Sequence, residues 1–200
     1  MAMGITRTLG SGGIPIWQGK DKDIQLAQGG FVLSATGLAT DTVVPAGTPI
    51  VFDEAARTAT IVGGGSLQAA ATGSPTTYRV NKGHTLKVGD YLATGAVGGP
   101  AYAITAIDTS NSAYDTVTVG TTIGNAALGA NVYASSATGA TASAYPAVNG
   151  LLYDDTLGNA GESVSVVIRG TVYARRIPFA YSSALAALAG LDDIIFSQSK

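Results

Sequence analysis

The chain has 200 residues, a formal net charge of −2 and no cysteine. This length suits one large or two small domains, with a hydrophobic core that is stable without covalent cross-links. The lack of cysteine excludes disulfides, thiolate metal sites and thiol nucleophiles. Charged residues make up only 12% of the chain, about half the usual share of a globular protein. Much of the surface is therefore expected either to be covered by partners or to consist of small neutral residues.

Neither nucleic acid nor a membrane is predicted as a partner. Phosphate binding needs clustered Lys and Arg, and the tight basic groupings are limited to Lys20–Lys22 and Arg175–Arg176. No segment reaches the roughly 18 continuous apolar residues of a membrane helix. The first residues also lack the apolar run of a signal peptide, so a cytoplasmic product, or one assembled in the cytoplasm, is expected.

Residues 1–30 are predicted to form an extended N-terminal arm. The glycine-rich run at residues 10–13 breaks any regular element, and the proline that follows Ile14 favours extended geometry there. Ile14, Ile16 and Trp17 form the apolar part of the arm. Trp17 either packs on its own domain, as Trp usually does, or anchors in a neighbouring protein, as Trp does at binding hot spots.

Two segments, residues 31–66 and 146–200, are predicted to form one discontinuous β host domain. The clearest strand covers residues 163–173, where side chains alternate between two faces with the period of a strand. Residues 182–190 predict the one short helix, because Ser182 or Ser183 can cap it and its Ala and Leu residues favour it. The expected fold class is mainly β with this single helix near the C-terminus.

Residues 75–135 predict an inserted all-β domain of four to six strands. Short runs rich in Val, Ile, Thr and Tyr alternate there with polar turns. The flanking residues 67–74 and 136–145 are rich in Ala, Ser, Thr and Gly and are predicted to be linkers. Similar linkers on both sides of a compact unit indicate an insertion into a host domain.

The sequence favours a binding or structural role over an enzyme. His84 is the only histidine, and its position in a turn between predicted strands favours a solvent-facing or locally hydrogen-bonded side chain over a catalytic base. The acidic residues lack the spacing of a calcium-binding loop. No catalytic residue, metal site or cofactor is predicted. If the chain is an enzyme after all, a hydrolase is the expected class.

The order of motifs in the host segments is distinctive. Residues 44–50 read Val-Pro-Ala-Gly-Thr-Pro-Ile, residues 151–155 read Leu-Leu-Tyr-Asp-Asp, and residues 164–172 read Val-Ser-Val-Val-Ile-Arg-Gly-Thr-Val. Arg-Arg-Ile-Pro, the short helix and Ile-Ile-Phe at residues 194–196 follow. In this order the chain resembles the capsid decoration proteins of tailed bacteriophages and the related phage head-fibre proteins. The resemblance covers residues 30–66 and 146–200, a little under half of the chain, and leaves the middle unit unmatched.

The resemblance implies a small β-barrel-like (tulip-type) host domain, a homotrimer, and attachment to the major capsid protein on the outside of the virion. It also implies that the arm becomes ordered on the shell, which makes Ile14, Ile16 and Trp17 the candidate capsid contacts. Arg169, Arg175 and Arg176 are either plain surface charge or members of ion pairs across the trimer interface, because Arg suits interfacial pairing.

A carbohydrate- or host-surface-binding module displayed on the virion is the alternative function. Tyr78, Tyr91, Tyr102 and Tyr114 of the middle unit could form an aromatic platform for a glycan or another surface ligand.

Overall fold

The computed structural model describes residues 16–19, 23–34, 36–38, 41–95, 97–177 and 182–198. It confirms the prediction of a mainly β protein with one short helix. In chain order the strands are β1 (Trp17–Gln18), β2 (Gln25–Leu26), β3 (Phe31–Ser34), β4 (Val43–Val44), β5 (Pro49–Asp53), β6 (Thr58–Ile61), β7 (Gly64–Ser66), β8 (Thr77–Asn81), β9 (Tyr91–Thr94), β10 (Ala101–Asp108), β11 (Tyr114–Val119), β12 (Asn131–Ser135), β13 (Gly150–Leu152), β14 (Thr156–Leu157), β15 (Ser163–Val164), β16 (Val166–Tyr173) and β17 (Ile194–Ser197).

The larger sheet has nine strands and is organised around β16. Its main path runs β1-β16-β13-β5-β6-β3-β15, and β2 and β17 also pair with β16. Strand β16 is antiparallel to β1, β2 and β13 and parallel to β17. Strands β4 and β14 form a separate two-stranded ribbon. Chain segments that precede and follow the middle third of the sequence thus meet in one sheet.

The smaller sheet has six strands in the order β7-β12-β9-β10-β11-β8. Its first and last strands are joined by a bridge between Leu67 and Val80 and by a 2.8 Å hydrogen bond from the Gln68 N–H to the Arg79 carbonyl. The sheet therefore curls back on itself and encloses its own apolar core. Buried Tyr78 and Val80 alternate along β8 with exposed neighbours, which is the period that places one face inward.

Apolar side chains form separate clusters under the two sheets. One cluster in the larger sheet includes Phe31, Ile50 and Leu152. A second includes Leu151, Val172 and Leu185, and the smaller sheet has its own cluster around Leu92 and other residues. Burial of these side chains is the main favourable contribution to folding.

The helix α1 spans Ser183–Ala186 and begins where Ser182 caps it, because the Ser182 hydroxyl accepts a hydrogen bond from the Leu185 N–H at 3.0 Å. It ends four residues earlier than predicted, and a 3-10 turn, Ala189–Leu191, follows. Leu185 and Leu191 are both 1% exposed in the same cluster. Residues six positions apart lie on different faces of an α-helix, so the break lets both side chains reach one core.

Parts of both segments predicted as linkers are packed against the smaller sheet. In residues 67–74, Leu67 is fully buried and the Ala71 backbone exchanges hydrogen bonds with Ala126. In residues 136–145, Ser143 is buried and its hydroxyl accepts from the Gly99 N–H. Small side chains allow this close approach of the backbone. Flexible linkers are rich in the same small residues, so composition alone does not separate the two cases. Strand β7 also belongs to the smaller sheet, although the host segment was predicted to extend to residue 66.

The described part of the predicted arm belongs to the larger sheet. Strand β1 pairs Trp17 with Val172, and strand β2 pairs Leu26 with Val167. Ile16 is 8% exposed within the cluster of Leu151 and Val172. For residues 16–19 and 23–30, an extended arm is therefore a wrong prediction, because these short segments find a partner strand within the same chain; the rest of residues 1–30 lies outside the described residues.

Gly150 provides a test of packing at the centre of the larger sheet. A Cβ atom there would lie 2.3 Å from Val166 Cγ1 and 3.0 Å from the Val167 carbonyl oxygen. Because the backbone oxygen cannot swing aside, we expect Gly150→Ala to lower the free energy of unfolding by about 1–3 kcal/mol in urea denaturation. Gly120→Ala is the control, since a Cβ there meets only Thr105 Cγ2 at 3.8 Å. Equal stabilities of the two variants would contradict this packing.

Candidate functional site

The two motifs that lead the resemblance are in direct contact. The turn at residues 44–50 is held to β13 by hydrogen bonds from the Gly47 N–H to the Leu152 carbonyl at 2.7 Å and from the Leu152 N–H to the Thr48 carbonyl at 2.9 Å. Asp155 Oδ1 accepts a further bond from the Ala46 N–H at 2.7 Å. The positive φ of Gly47, 80°, explains the glycine in this turn.

Two of the three predicted capsid contacts of the arm, Ile16 and Trp17, are not available as a free apolar surface. Trp17 is half-buried, its Nε1–H donates to the Tyr153 carbonyl at 2.8 Å, and its ring stacks on Tyr153 with centroids 6.2 Å apart. Ile16 is buried in the larger sheet, and Ile14 lies outside the described residues. Trp17 thus packs on its own domain, the first of its two sequence-based interpretations.

The predicted trimer-interface arginines, Arg169, Arg175 and Arg176, are all exposed on β16 or just after it. The Arg176 guanidinium lies over the Tyr173 ring, 4.4 Å from its centroid. On the neighbouring strand, Ile195 pairs with Thr171 and is 64% exposed.

Directly paired side chains point to the same side of a sheet, and Thr171 and Tyr173 share a side by the two-residue period. Thr171, Tyr173, Arg176 and Ile195 therefore form one surface, which we call the β16–β17 face.

A second exposed apolar pair lies on the ribbon of β4 and β14. Val43 and Leu157 are directly paired across the two strands and are 55% and 41% exposed. The ribbon is braced by reciprocal hydrogen bonds between Asp41 and Asn159, at 3.0 Å and 2.9 Å. A fixed pair of exposed apolar side chains can contribute contact area to a partner at low entropic cost.

The four tyrosines proposed as a ligand platform do not share a surface. Tyr78 is fully buried, with its hydroxyl 2.9 Å from the carbonyls of Pro75 and Gly124. Tyr102 packs on the core of the smaller sheet, whereas Tyr91 packs in a different cluster. Tyr114 is half-buried, with the Arg79 guanidinium 4.8 Å from its ring centroid. The platform prediction is therefore wrong as a set, because strand pairing sends these side chains to different faces.

The smaller sheet contains a polar cluster of Lys82, His84 and Asp115, which sequence analysis missed. Asp115 is 6% exposed; its Oδ1 accepts a hydrogen bond from Lys82 Nζ, and its Oδ2 lies 3.3 Å from His84 Nε2. The available sequence signal was the two-residue spacing that puts Asp115 on the same face of β11 as Val117 and Val119, which are buried. The order of burial along this strand places a carboxylate on the inner face, where it needs partners.

His84 is held in its neutral form. Its Nδ1 accepts a hydrogen bond from the Leu86 N–H at 3.2 Å, so the proton of the neutral ring lies on Nε2, which faces Asp115. The 3.3 Å Nε2–Oδ2 contact is electrostatic, since Nε2 lacks a hydrogen bond of good geometry with any described residue. Burial lowers the pKa of His84 below 6.5; Asp115 opposes this effect and Lys82 adds to it. The local hydrogen bond agrees with the sequence analysis, but the side chain is buried.

The described ranges contain no group of three or more His, Asp or Glu side chains placed to hold a metal ion. Within the same ranges, no helix is both long and apolar enough to cross a bilayer. No protein-family model matches the chain, and no curated protein or solved structure matches it significantly. Any functional conclusion therefore rests on the sequence of the chain and on the geometry of its own residues.

Acid titration tests the environment of His84. Because its folded-state pKa is lowered, its contribution to stability is complete above the unfolded-state value of about 6.5 and is lost as the pH falls through the folded-state value. We expect the free energy of unfolding to fall from pH 7 to pH 5.5, and His84→Asn to reduce that fall. Asparagine retains an acceptor for the Leu86 N–H but does not titrate.

The comparison of unfolding curves at each pH isolates this group, since the chain has one histidine. Burial raises the pKa of Asp90 above 3.8, so Asp90 lowers stability as the pH rises above 3.8, opposite in sign to His84. Parallel losses of stability in the wild-type and His84→Asn proteins would show that His84 is not responsible.

Proposed function

We propose that the chain is a non-enzymatic structural protein of a virus particle, a homotrimeric decoration or head-fibre subunit on the outside of a tailed-phage capsid. The observation that carries the proposal is the contact between the two leading motifs of the resemblance, in which the turn at residues 44–50 hydrogen-bonds to residues 151–155. Segments about 100 residues apart in sequence thus act as one structural unit. The low charge of the chain, 12%, supports a protein that works in contact with copies of itself and with a larger surface.

The β16–β17 face is the surface we assign to self-association. It combines an exposed aliphatic side chain, Ile195, with an arginine stacked on an aromatic ring, Arg176 on Tyr173. Aromatic residues and Arg are enriched at the centres of protein interfaces. Arg169 and Arg175 are exposed near this face, and we expect them to pair with carboxylates of a neighbouring copy.

The ribbon of β4 and β14 is the surface we assign to the shell. Val43 and Leu157 form its exposed apolar pair. Strand β4 leads into the motif turn at residues 44–50, and β14 comes directly after residues 151–155. Three linked copies need only weak individual contacts, because the second and third contacts become intramolecular. Ile14 stays a predicted shell contact, whereas Ile16 and Trp17 are replaced in this role by the ribbon pair.

Ile195→Asp tests the assigned self-association surface. A carboxylate at the centre of an apolar contact loses its hydration without gaining a partner, so we expect the trimer to dissociate to monomers in size-exclusion chromatography with light scattering. Leu128→Asp is the matched control, since Leu128 is 69% exposed in the turn before β12 against 64% for Ile195. A monomeric wild-type protein at high concentration would refute the trimer, and a trimeric Ile195→Asp protein would exclude this face.

Val43→Asp tests the assigned shell contact. We expect the wild-type protein to co-sediment with empty capsids of the phage that encodes it, and the variant to bind at least tenfold more weakly, since three contacts are weakened together. Val88→Asp serves as the control because Val88 is 60% exposed outside the ribbon, against 55% for Val43. Absence of wild-type binding would contradict the decoration role itself, whereas equal binding of both variants would exclude only the ribbon.

A further inference from the structure

Asn149, the residue before β13, continues the pairing of β13 with β5 through its side chain. Its Oδ1 accepts a hydrogen bond from the Phe52 N–H at 2.8 Å, and its Nδ2 donates one to the Phe52 carbonyl at 2.9 Å. Its backbone N–H donates to the Ile50 carbonyl at 3.1 Å. A carboxamide has the donor and the acceptor of a peptide group, so the Asn149 side chain takes the place of one more residue of the strand.

The same residue belongs to a chemically reactive sequence. Asn149 and Gly150 form the one Asn-Gly pair among the 200 residues of the chain. Such a pair favours deamidation, because glycine has no Cβ that would hinder the approach of its backbone nitrogen to the preceding side chain. The Gly150 nitrogen attacks Asn149 Cγ, the Cγ–Nδ2 bond breaks, and ammonia leaves with the proton of the attacking nitrogen. Water then opens the cyclic imide at one of its two carbonyls, which leaves aspartate or isoaspartate.

The fold opposes this reaction. To close the ring with the Gly150 nitrogen, the Asn149 carboxamide must rotate out of the plane in which it meets Phe52, and it then loses both hydrogen bonds. Gly150 itself is held in β13, where it pairs with Ile50. Gly190 packs closely on the same residue, since a Cβ at Gly190 would lie 2.7 Å from Asn149 Cα and 3.0 Å from Asn149 Cβ. Ring closure therefore requires a local separation of β13 from β5.

We propose that Asn149 is a modification site that is protected in the folded protein and deamidates when β13 separates from β5. Deamidation then weakens the pairing that protected the residue. In aspartate, a carboxylate oxygen replaces Nδ2 and faces the Phe52 carbonyl oxygen, so two acceptors meet without a hydrogen between them. In isoaspartate, the main chain gains one carbon atom, which displaces β13 relative to β5. Opening at this point is thus converted into a permanent chemical change, independently of any capsid or trimer contact.

Deamidation of the wild-type protein tests the proposal, with Asn111 as the internal control. Asn111 precedes Ser112 in an exposed turn, and its Oδ1 accepts a local hydrogen bond from the Ala113 N–H at 2.9 Å. Folded and guanidinium-unfolded samples are kept in the same mildly alkaline buffer, and peptide mass spectrometry follows both asparagines over time. We expect Asn149 to deamidate about tenfold or more slowly in the folded sample, because only the open molecules react.

Asn111 is expected to react at similar rates in the two samples, because it is exposed in both. The comparison of the two residues removes any effect of the denaturant on the chemistry itself. A slowing of Asn149 on folding that is no greater than the slowing of Asn111 would overturn the proposal.

Asn149→Asp reproduces one product and tests its effect on the pairing. Because the Phe52 carbonyl loses its donor, we expect the midpoint of thermal unfolding at neutral pH to fall by about 2–6 °C. Asn111→Asp is the matched control, and its midpoint should stay within about 1 °C of wild type because the residue is exposed. Equal midpoints of the two variants would contradict the pairing role of the carboxamide. If Asn149→Asp does not fold, the wild-type comparison still decides the proposal.

Discussion

The larger sheet depends on the pairing of β16 with four other strands. Strands β1 and β2 come from the beginning of the described chain, β13 from its later half, and β17 from its end. Val166, Val167 and Val172 of β16 are fully buried, so this strand supplies core contacts as well as hydrogen bonds. Since its partners are far apart in sequence, the sheet assembles only when both ends of the chain have arrived, a topology typical of slowly folding β proteins.

Sequence analysis predicted the fold class and many of the strands, because alternation is a local property of the chain. Most of the predicted 163–173 strand, now β16, and Ser182, one of the two predicted caps, were identified from neighbouring residues alone, although the structure divides that strand at Ser165 into β15 and β16. The role of β1 was not, since only the presence of β16 decides whether a short segment such as Ile16-Trp17 becomes an arm or an edge strand. Composition failed in the same way at residues 67–74, where Leu67 and Ala71 are buried and hydrogen-bonded to Ala130 and Ala126.

The candidate surfaces were predictable only in part, for a related reason. The arginines near β16 were recognised by residue type, but the β16–β17 face required the register that pairs Ile195 with Thr171. Ile195 alternates with the buried Ile194, so its exposure, though not its neighbours, could be predicted. The tyrosine platform required four side chains on one face, a condition that strand pairing alone decides. The Lys82–His84–Asp115 cluster likewise joins a turn to a strand more than 30 residues away.

The chain leaves the larger sheet and returns to it at adjacent points. After β6, the Gly63 carbonyl accepts a hydrogen bond from the Ala134 N–H at 2.8 Å, and Gly64 pairs with Tyr133; β13 then resumes beside β5. A unit whose two ends lie next to each other can be replaced without distorting the domain into which it is inserted. The smaller sheet is in this sense a cassette: recombination, or an engineer, can substitute another compact domain there while every strand of the nine-stranded scaffold keeps its neighbours.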